Sequence, residues 1–564
     1  MTETGVRVAG ARHEERRTNR RDVVVVLTAR GCLLLPLAGD TVLRTTTFSV
    51  GYDPRMLVEQ TSRPAPTRAL DDFAARPVVI IAIALFALEM ALAGRYGFHR
   101  DELYFMDSAR HLQGGYVDQP ILTPLLVRVS LSLFGVSLLG IRLWAALAVA
   151  ATVVVGSLTA RELGGSRRAQ LLAAVGVATM PVLLASGHTM GTTPLDILAW
   201  SSLAFVTVRI ERTGNLRLWM AAGLILGIGL ANKHSIGFFA VALFIGALVS
   251  GGSRWVFNRW FLAGVAIAVC FTIPDVWWQA LHGWPTIAMT RSLNHENGGL
   301  GNLGNWFAGQ LLMVTVALIW VWVAGIRFLW REKRPLLRAL VWSYGLLFVF
   351  FALTTGAKIY YLAGAYVYLL AAGAASLDHR LGSSRARLAR LLGFVALSTA
   401  VSLPLALPIL PASDIGWTYK INSSLAEEVG WPEMVSSVSK VWHSLPLRQR
   451  SHAVLFTADY GEAGAINELG RSTGLPIAVS GHNSEWFWGP GNRDATTVVA
   501  VAPGPIDVTD YSSYLRQFFQ HVRVVATLSN RAGLHNQEWH GHVYVCTDPK
   551  QPWWVTWPKL RHYD

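Results

Sequence analysis

The sequence predicts a polytopic α-helical membrane protein of about eleven spans that ends in an α/β domain, and three observations carry that prediction. Of the 564 residues, 52% are hydrophobic and only 15% are charged, and the mean hydropathy is +0.37, too apolar for a soluble domain of ordinary composition. Between residues 77 and 408, apolar stretches of about 20 residues follow one another, the length a helix needs to cross a bilayer. After about residue 410 that pattern stops, and short β-like runs flanked by glycine and proline replace it.

Residues 1–70 belong to neither part. They open on the basic stretch HEERRTNRR, carry a short apolar run from Val23 to Leu37, and continue mostly polar to Asp72. The run is too short and interrupted to span a bilayer comfortably. As a signal peptide it contains Arg30 and lacks a clean small-residue cleavage site. It is read as a poorly ordered, dispensable extension with Met56 as a candidate true start, a reading that an intact mass beginning at Met1 in the native host would refute.

The apolar segments lie at 77–94, 137–160, 168–187, 194–210, 216–232, 235–251, 259–278, 305–326, 336–355, 360–377 and 388–408. The loops with Arg161, Arg167 and Arg168, with Arg209, Arg212 and Arg217, with Arg254 and Arg259, with Arg327, Arg331, Lys333, Arg334 and Arg338, and with Arg380, Arg385, Arg387 and Arg390 alternate with loops nearly free of cations. Loops rich in Lys and Arg stay cytoplasmic. The amino terminus therefore reads as cytoplasmic, and the loops holding Asp101, Asp196, Lys233, His282 and Lys358 share the outer face with everything after about residue 410. The net charge of +14 is dispersed among these loops, a topology signal rather than a nucleic-acid surface. Cys32, Cys270 and Cys546 are far apart and form neither a metal-type nor a dithiol spacing.

That parity brings the ionisable residues topology does not explain to one side. The stretch GFHRDELYF, residues 97–105, places Arg100, Asp101 and Glu102 directly after the first apolar run. Two readings stand: an interfacial cluster that solvates the end of a helix, or a site. Lys233 and Lys358 are lone cations at outer span ends, where the positive-inside tendency disfavours them. Either alone could snorkel to headgroups; both on the face that carries Asp101 favour a shared anionic ligand. The connector 95–136 has apolar helical stretches around 104–112 and 121–134, expected to lie along the interface with Tyr104, Phe105 and Tyr116 at headgroup depth.

In the carboxy-terminal part the β-like runs are 453–456, 496–502, 522–528 and 542–546, with helix-like stretches at 461–470 and 510–520. Residues 411–564 are expected to form a small domain with its own core. The motif GHNSEWFWGPG, residues 481–491, reads as a surface loop.

Six motifs in order, RDELYF, YVDQPIL (116–122), GHTMGTTPLDILAW (187–200), NKHSIGFF (232–239), WWQALHGWPT (277–286) and GAKIYYLAGAYVYLLAAGA (356–374), resemble bacterial members of glycosyltransferase family 39. That family includes protein O-mannosyltransferases, lipid A aminoarabinose transferases and polyprenyl-phosphate galacturonosyl transferases, all of the GT-C architecture. The resemblance covers about residues 75–410. It implies that Asp101, in the acidic pair with Glu102, stands at the catalytic base and that Asp196 is a second acidic position; a helix N-cap is the alternative for Asp196. Lys233, in NKHS with His234, and Lys358, with Tyr360 and Tyr361, match positions associated with the lipid-phosphate donor, and Arg100, Tyr116, Asp118 and Gln119 complete the expected binding set. YVDQP departs from the family's Tyr-x-Glu-Lys-Pro pattern, since Asp118 replaces the glutamate and Gln119 the lysine. The loss of that cation leaves the sugar and acceptor open. His282 resembles a position that in some relatives helps hold a structural zinc; with Asp118 as its one companion, no metal is required and a divalent ion stays open. His188 and His234 read as hydrogen-bonded structural histidines rather than catalytic ones.

A sugar on a lipid phosphate needs one base for the acceptor proton and cations for the departing phosphate. The leaving group is already good, so no general acid is needed, unlike glycoside hydrolysis. The expectation is an inverting, polyprenyl-phosphate-sugar-dependent glycosyltransferase of the plasma membrane, acting on a glycan, lipid or protein acceptor of the envelope. Membrane lipids are its other partners, and nucleic acid is not one. The tryptophans beside His482, Asn483 and Glu485 would then stack on a sugar or close as a lid on the membrane face. The rival is a secondary transporter or lipid flippase, which calls for mid-span charges and broken helices in matching halves.

Overall fold

The computed structural model describes residues 23–28, 31–36 and 70–563, apart from 297–302, 355–356, 382–383, 420 and 505–507. Two compact units result, residues 1–69 and 70–564. In the first, β1 (Val23–Thr28) pairs antiparallel with β2 (Gly31–Pro36), Val23 opposite Pro36 and Thr28 opposite Gly31. The apolar run at its start is thus a hairpin built on four consecutive valines, residues with high strand preference. The rest of the expected extension, Met56 included, lies outside the described residues.

The second unit begins with helices α1 (Ala75–Leu92), α2 (Arg100–Arg110), α3 (Leu122–Phe134), α4 (Leu138–Glu162), α5 (Arg167–Ala178), α6 (Pro181–His188), α7 (Thr192–Thr213) and α8 (Leu218–Leu230). It continues with α9 (Ser235–Val249), α10 (Arg259–Leu281), α11 (Pro285–Glu296), α12 (Leu303–Val314), α13 (Ile319–Arg331), α14 (Pro335–Leu353), α15 (Ala363–Leu381) and α16 (Arg385–Ala406). Among the described residues, seven helical segments are long and apolar enough to cross a membrane: six within α1, α4, α7, α10, α14 and α16, and one, Ile359–Asp378, that enters α15 from the turn before it. Two pairs bent by 56° and 88°, α5 with α6 and α12 with α13, raise the number to nine.

Two differences from the expected eleven spans have local causes. The fifth and sixth places fall to α8 and α9, of 13 and 15 residues. At about 1.5 Å per residue they are roughly 20 and 23 Å long, short of a bilayer core of about 30 Å. The bend between α5 and α6 falls at Pro181, which opens α6 and holds Met180 extended. The bend before α13 falls at Thr315, with φ +71°. Neither break carries an ionisable residue, which separates these bends from the broken, charge-bearing helices of a transporter. Small residues set the closest helix approaches, as expected where lipid removes the hydrophobic drive between helices. A side chain on Gly223 of α8 would collide with the Gly264 carbonyl of α10, and one on Gly325 of α13 with the Leu369 carbonyl of α15.

The carboxy-terminal region adds α17 (Trp431–Ser444), α18 (Tyr460–Leu469) and α19 (Val508–Arg516) around five strands: β3 (Ala453–Thr457), β4 (Val479–Ser480), β5 (Thr497–Ala502), β6 (Phe519–Thr527) and β7 (His542–Pro549). The sheet order is β4-β3-β5-β7-β6. β3 runs parallel to β4 and β5, whereas β7 runs antiparallel to β5 and β6. The four expected strands are present. Two-residue β4 left no periodicity to read, and the end of the helix-like stretch 510–520 is instead the start of β6.

Strand alternation splits the sheet between two cores. Val454, Phe456, Val498, Ala500 and Tyr544 pack with Trp553 and Trp557. Leu455, Val499, Val501, Val543 and Val545 face the other way and share a core with Ala463 and Ile466 of α18 and with Leu103, Met106 and Ala109 of α2. The α/β region therefore does not close a core of its own on that face: α2 is part of it. The side chains expected at headgroup depth therefore face protein rather than lipid. Tyr104, Phe105 and Tyr116 are all buried in protein, whereas α3 keeps the expected apolar outer face, with Leu133 and Phe134 exposed.

Candidate active site

The first turn of α2 is fixed by its cap. The His99 Nδ1 accepts the Asp101 N–H at 3.1 Å, and the His99 N–H donates to Glu102 Oε2 at 2.8 Å, a reciprocal capping box. Glu102 is then anchored by Arg142 of α4, whose Nε and Nη2 each donate to one carboxylate oxygen at 2.9 Å. Its Oε1 also accepts the Met190 N–H at 2.8 Å. Glu102 is 0% exposed, with both oxygens committed. Glu102, expected to be catalytic together with Asp101, thus holds the helix end, while its neighbour carries the open carboxylate.

Asp101 points the other way and keeps 46% of its side chain exposed. The Tyr460 hydroxyl of α18 donates to Asp101 Oδ1 at 3.0 Å, and Arg100 Nε lies 3.7 Å from the same oxygen. Surrounding protein raises the cost of its charge, but His99, Arg100, the Tyr460 hydroxyl and Lys358 outweigh that and hold its carboxyl below the ordinary aspartate value. It is an ionised acceptor of protons at neutral pH. Arg100 itself donates to Gln537 Oε1 at 2.6 Å and lies 3.9 Å from Glu427.

The loop between α2 and α3 brings Asp118 in beneath α2, where the Tyr104 hydroxyl donates to Asp118 Oδ1 at 2.7 Å. Burial pushes Asp118 up to about 6, with Asp101 adding to the rise. The loop between α8 and α9 brings in Lys233. Asn232 pins that loop, accepting from Thr123 at 2.8 Å and donating to the Thr192 carbonyl at 2.7 Å. Lys233 Nζ lies 4.9 and 5.3 Å from the ring centres of Tyr360 and Tyr361, and 3.5 Å from Thr193 Oγ1. Lys233 is also within electrostatic reach of Asp196 and Asp101. Asp101, Asp118, Asp196, Arg100, Lys233, Lys358, Tyr360 and Tyr361, drawn from five separate stretches of chain, thus gather in one place.

Other expected members have different employment. Asp196 is not a cap: α7 starts at Thr192 after Gly191, and Asp196 Oδ2 accepts from Ser235 at 2.7 Å. The Tyr116 hydroxyl donates to the Ser108 carbonyl at 2.9 Å and accepts from the Gln113 N–H at 3.1 Å. The Tyr116 hydroxyl is thus committed within the protein. Gln119 is buried with no protein partner for its amide among the described residues. His234 Nε2 pairs with Asp275 Oδ2 at 2.9 Å. His282 spends Nδ1 on the Trp278 carbonyl at 2.7 Å and stacks on that indole. No cluster of three His, Cys, Asp or Glu suited to a metal occurs among the described residues, so Asp118 and His282 gain no third ligand. His188 contacts Arg142 at 3.0 Å and Glu428 at 3.3 Å.

The first half of the loop 481–491 is not at the surface. His482, Asn483, Ser484 and Glu485 are 1–3% exposed, and Ser484 Oγ accepts the Val117 N–H at 2.9 Å, tying this loop to the one that carries Asp118. Its rings are taken by protein: Trp488 stacks on His111 with centres 4.3 Å apart, and Phe487 packs edge-on against Trp278 and His282. Buried acids accompany it. Asp107 accepts from Asn467 at 2.6 Å and is pushed by burial up to about 7, while burial takes Glu538 up to about 8.

Sequence reading missed Arg142, Tyr460, Asp275 and Glu428. Arg142 had a signal, a lone cation inside an apolar segment. Tyr460 had only the capping pattern Asp459–Glu462 around it, which marks a helix start and no function.

A family described as dolichyl-phosphate-mannose-protein mannosyltransferase matches residues 118–278. The chain is 24% identical over 285 residues to undecaprenyl phosphate-alpha-4-amino-4-deoxy-L-arabinose arabinosyl transferase 1 of Pseudomonas fluorescens, 46% of this chain and 51% of the relative. The match spans about half the length of that relative. ArnT from Cupriavidus metallidurans bound to undecaprenyl phosphate superposes with a TM-score of 0.55 at 12% identity, over 84% of this chain and 98% of that one. Its apo structure gives the same TM-score and coverage at 14% identity. The chain has the GT-C fold.

Proposed function

We propose that this GT-C chain is a membrane glycosyltransferase that moves a sugar from a polyprenyl-phosphate carrier to an acceptor of the cell envelope, with Asp101 as base. One observation carries the reading: an open, ionised carboxylate stands in the same cluster as Lys233 and Lys358. Asp101 takes the proton of the acceptor hydroxyl or amine as that atom bonds to the anomeric carbon. The bond from that carbon to the phosphate oxygen breaks, and the phosphate leaves with the electron pair beside Lys233 and Lys358, shielded by Tyr360 and Tyr361. Attack opposite the leaving phosphate inverts the anomeric centre. The similarity to an undecaprenyl-phosphate-linked sugar transferase supports this donor class. Arg-rich loops at the opposite ends of the spans support a cytoplasmic amino terminus, an extracytoplasmic site and a plasma-membrane location. Asp196, His234 and Arg100 serve as a surrounding shell, with Asp196 acting on the charge of Lys233.

The test is mass spectrometry of lipids that co-purify with wild type and with Asp101→Asn from native membranes. A polyprenyl-phosphate sugar is expected to accumulate on the variant, where binding persists while transfer slows by about 10²- to 10⁴-fold, and to be absent when Lys233→Ala is added. Transfer by Asp101→Asn at the wild-type rate would sink the proposal.

A further inference from the structure

The carboxy-terminal α/β region reaches the cluster through one hydroxyl. Tyr460 is the first residue of α18, set there by the capping box in which the Asp459 side chain accepts from the helix start and Glu462 returns to the Asp459 N–H at 3.1 Å. The helix lies flat on α2 because Gly464 has no side chain to strike the Leu103 backbone. The Tyr460 ring sits 4.6 Å from Tyr104 and 4.5 Å from His482, and the Arg100 guanidinium lies 5.3 Å from its centre. A side chain on Gly461 would collide with Arg100, so the helix start and the arginine fit only in this arrangement. The phenol is held on three sides and its hydroxyl donates to Asp101 Oδ1.

We propose that Tyr460 is a positioning residue for the transfer reaction: its hydroxyl occupies Asp101 Oδ1 and fixes the carboxylate so that Oδ2 is presented to the acceptor. This rests on the reading of Asp101 as base. The consequence is that the α/β region completes the site rather than only covering it. The groups that face Asp101 are Arg100 and His99 from its own helix end, Tyr460 from α18, Asp118 from the loop after α2, Lys233 from the loop after α8, and Lys358 and Tyr360 from the segment before α15. Among them, Tyr460 is the hydrogen-bond donor to the carboxylate from another element. Burial keeps its phenol protonated, hence a donor, throughout the neutral range. Removal of a donor to an ionised carboxylate favours the protonated form.

The decisive variant is Tyr460→Phe, which keeps the ring and its packing and deletes the donor. The full chain, purified in detergent, is treated with dicyclohexylcarbodiimide, which reacts with protonated carboxyls, from about pH 3 to about pH 8. Labelling at residue 101 is mapped by mass spectrometry, with exposed Asp414 as the internal reference. The pH of half-labelling at Asp101 is expected to rise by about one unit in Tyr460→Phe, with Asp414 unmoved. Coincident Asp101 curves for variant and wild type would overturn the proposal, as would a shift shared by Asp414. Tyr460→Leu, which removes ring and donor together, is expected to show the same shift, which assigns it to the hydroxyl rather than to the ring. The labelling needs no substrate. Full transfer by Asp101→Asn would therefore remove the function reading without touching this result, and an unmoved midpoint would remove this inference without touching that reading.

Discussion

Loss of Arg142 should destabilise the fold strongly. Arg142 is 1% exposed, and every face of its guanidinium is used. It donates to both oxygens of Glu102, to the Ala93 carbonyl at 2.8 Å and the Gly97 carbonyl at 2.9 Å, and contacts His188 at 3.0 Å and Glu428 at 3.2 Å. Arg142→Met fits the aliphatic space but leaves the Glu102 and Glu428 carboxylates buried without their cation, and two carbonyls without a donor. Breaking a buried pair by removing one partner costs about 3–5 kcal/mol, because the remaining charge stays desolvated. The range applies here without discount for solvent, since the Arg142, Glu102 and Glu428 side chains are 0–1% exposed. The assay is equilibrium unfolding in mixed micelles, followed by tryptophan fluorescence. The triple variant Arg142→Met, Glu102→Gln, Glu428→Gln should recover much of the loss, since it removes the orphaned charges. A loss below about 1 kcal/mol for Arg142→Met, or a triple variant less stable than the single one, would refute the account of this network.

Two further outcomes are expected. Asp107 and Glu538 have folded values raised by burial to about 7 and about 8, against about 4 in the unfolded chain. Between those limits the folded chain binds more protons than the unfolded one, so their favourable contribution is complete below about pH 4 and is lost as pH rises through about 7–8. The melting temperature should fall from about pH 5 to about pH 9, and Glu538→Gln should flatten the upper part of the fall; a flat or rising profile in wild type contradicts the assignment. Gly223→Leu forces a side chain into the Gly264 carbonyl and should cost about 1–3 kcal/mol by separating α8 from α10. Gly304→Ala, with nothing within 4 Å of the added carbon, should leave the unfolding midpoint in place.

The spans were legible because a bilayer demands long apolar runs, and composition alone shows them. Their ends were less so: α8 stops at Leu230, before the polar turn Asn232–Lys233–His234, and α9 stops at Val249, so each is shorter than the apolar run that marks it. Pro181 lies inside the single apolar segment 168–187, whose composition hides the bend it makes, and Thr315 gave no sign. In the cluster, Asp101, Lys233 and Lys358 could be placed on one side from loop parity, a property of local sequence. Glu102 could not be separated from Asp101 by sequence, since the difference is which way each points around one helical turn. Tyr460 was out of reach for another reason: its partner is 359 residues away, and only the folded sheet brings α18 onto α2. The motif 481–491 misled because glycine, proline and polar residues mark a loop without saying what lies on top of it.

The docking of α18 on α2 also has a meaning in time. Chains are made at about 5–20 residues per second, so the 359 residues between Asp101 and Tyr460 take roughly 20–70 s to synthesise. Throughout that interval the apolar side of α2, with Leu103, Met106 and Ala109, has been made and its partner has not. The nascent chain must carry an unfinished surface past the insertion of every later span, and a ribosome that stalls before α18 leaves a membrane bundle whose carboxylate has no phenol beside it. Synthesis of the last quarter of the chain is thus the step that covers α2 and brings the Tyr460 hydroxyl to Asp101.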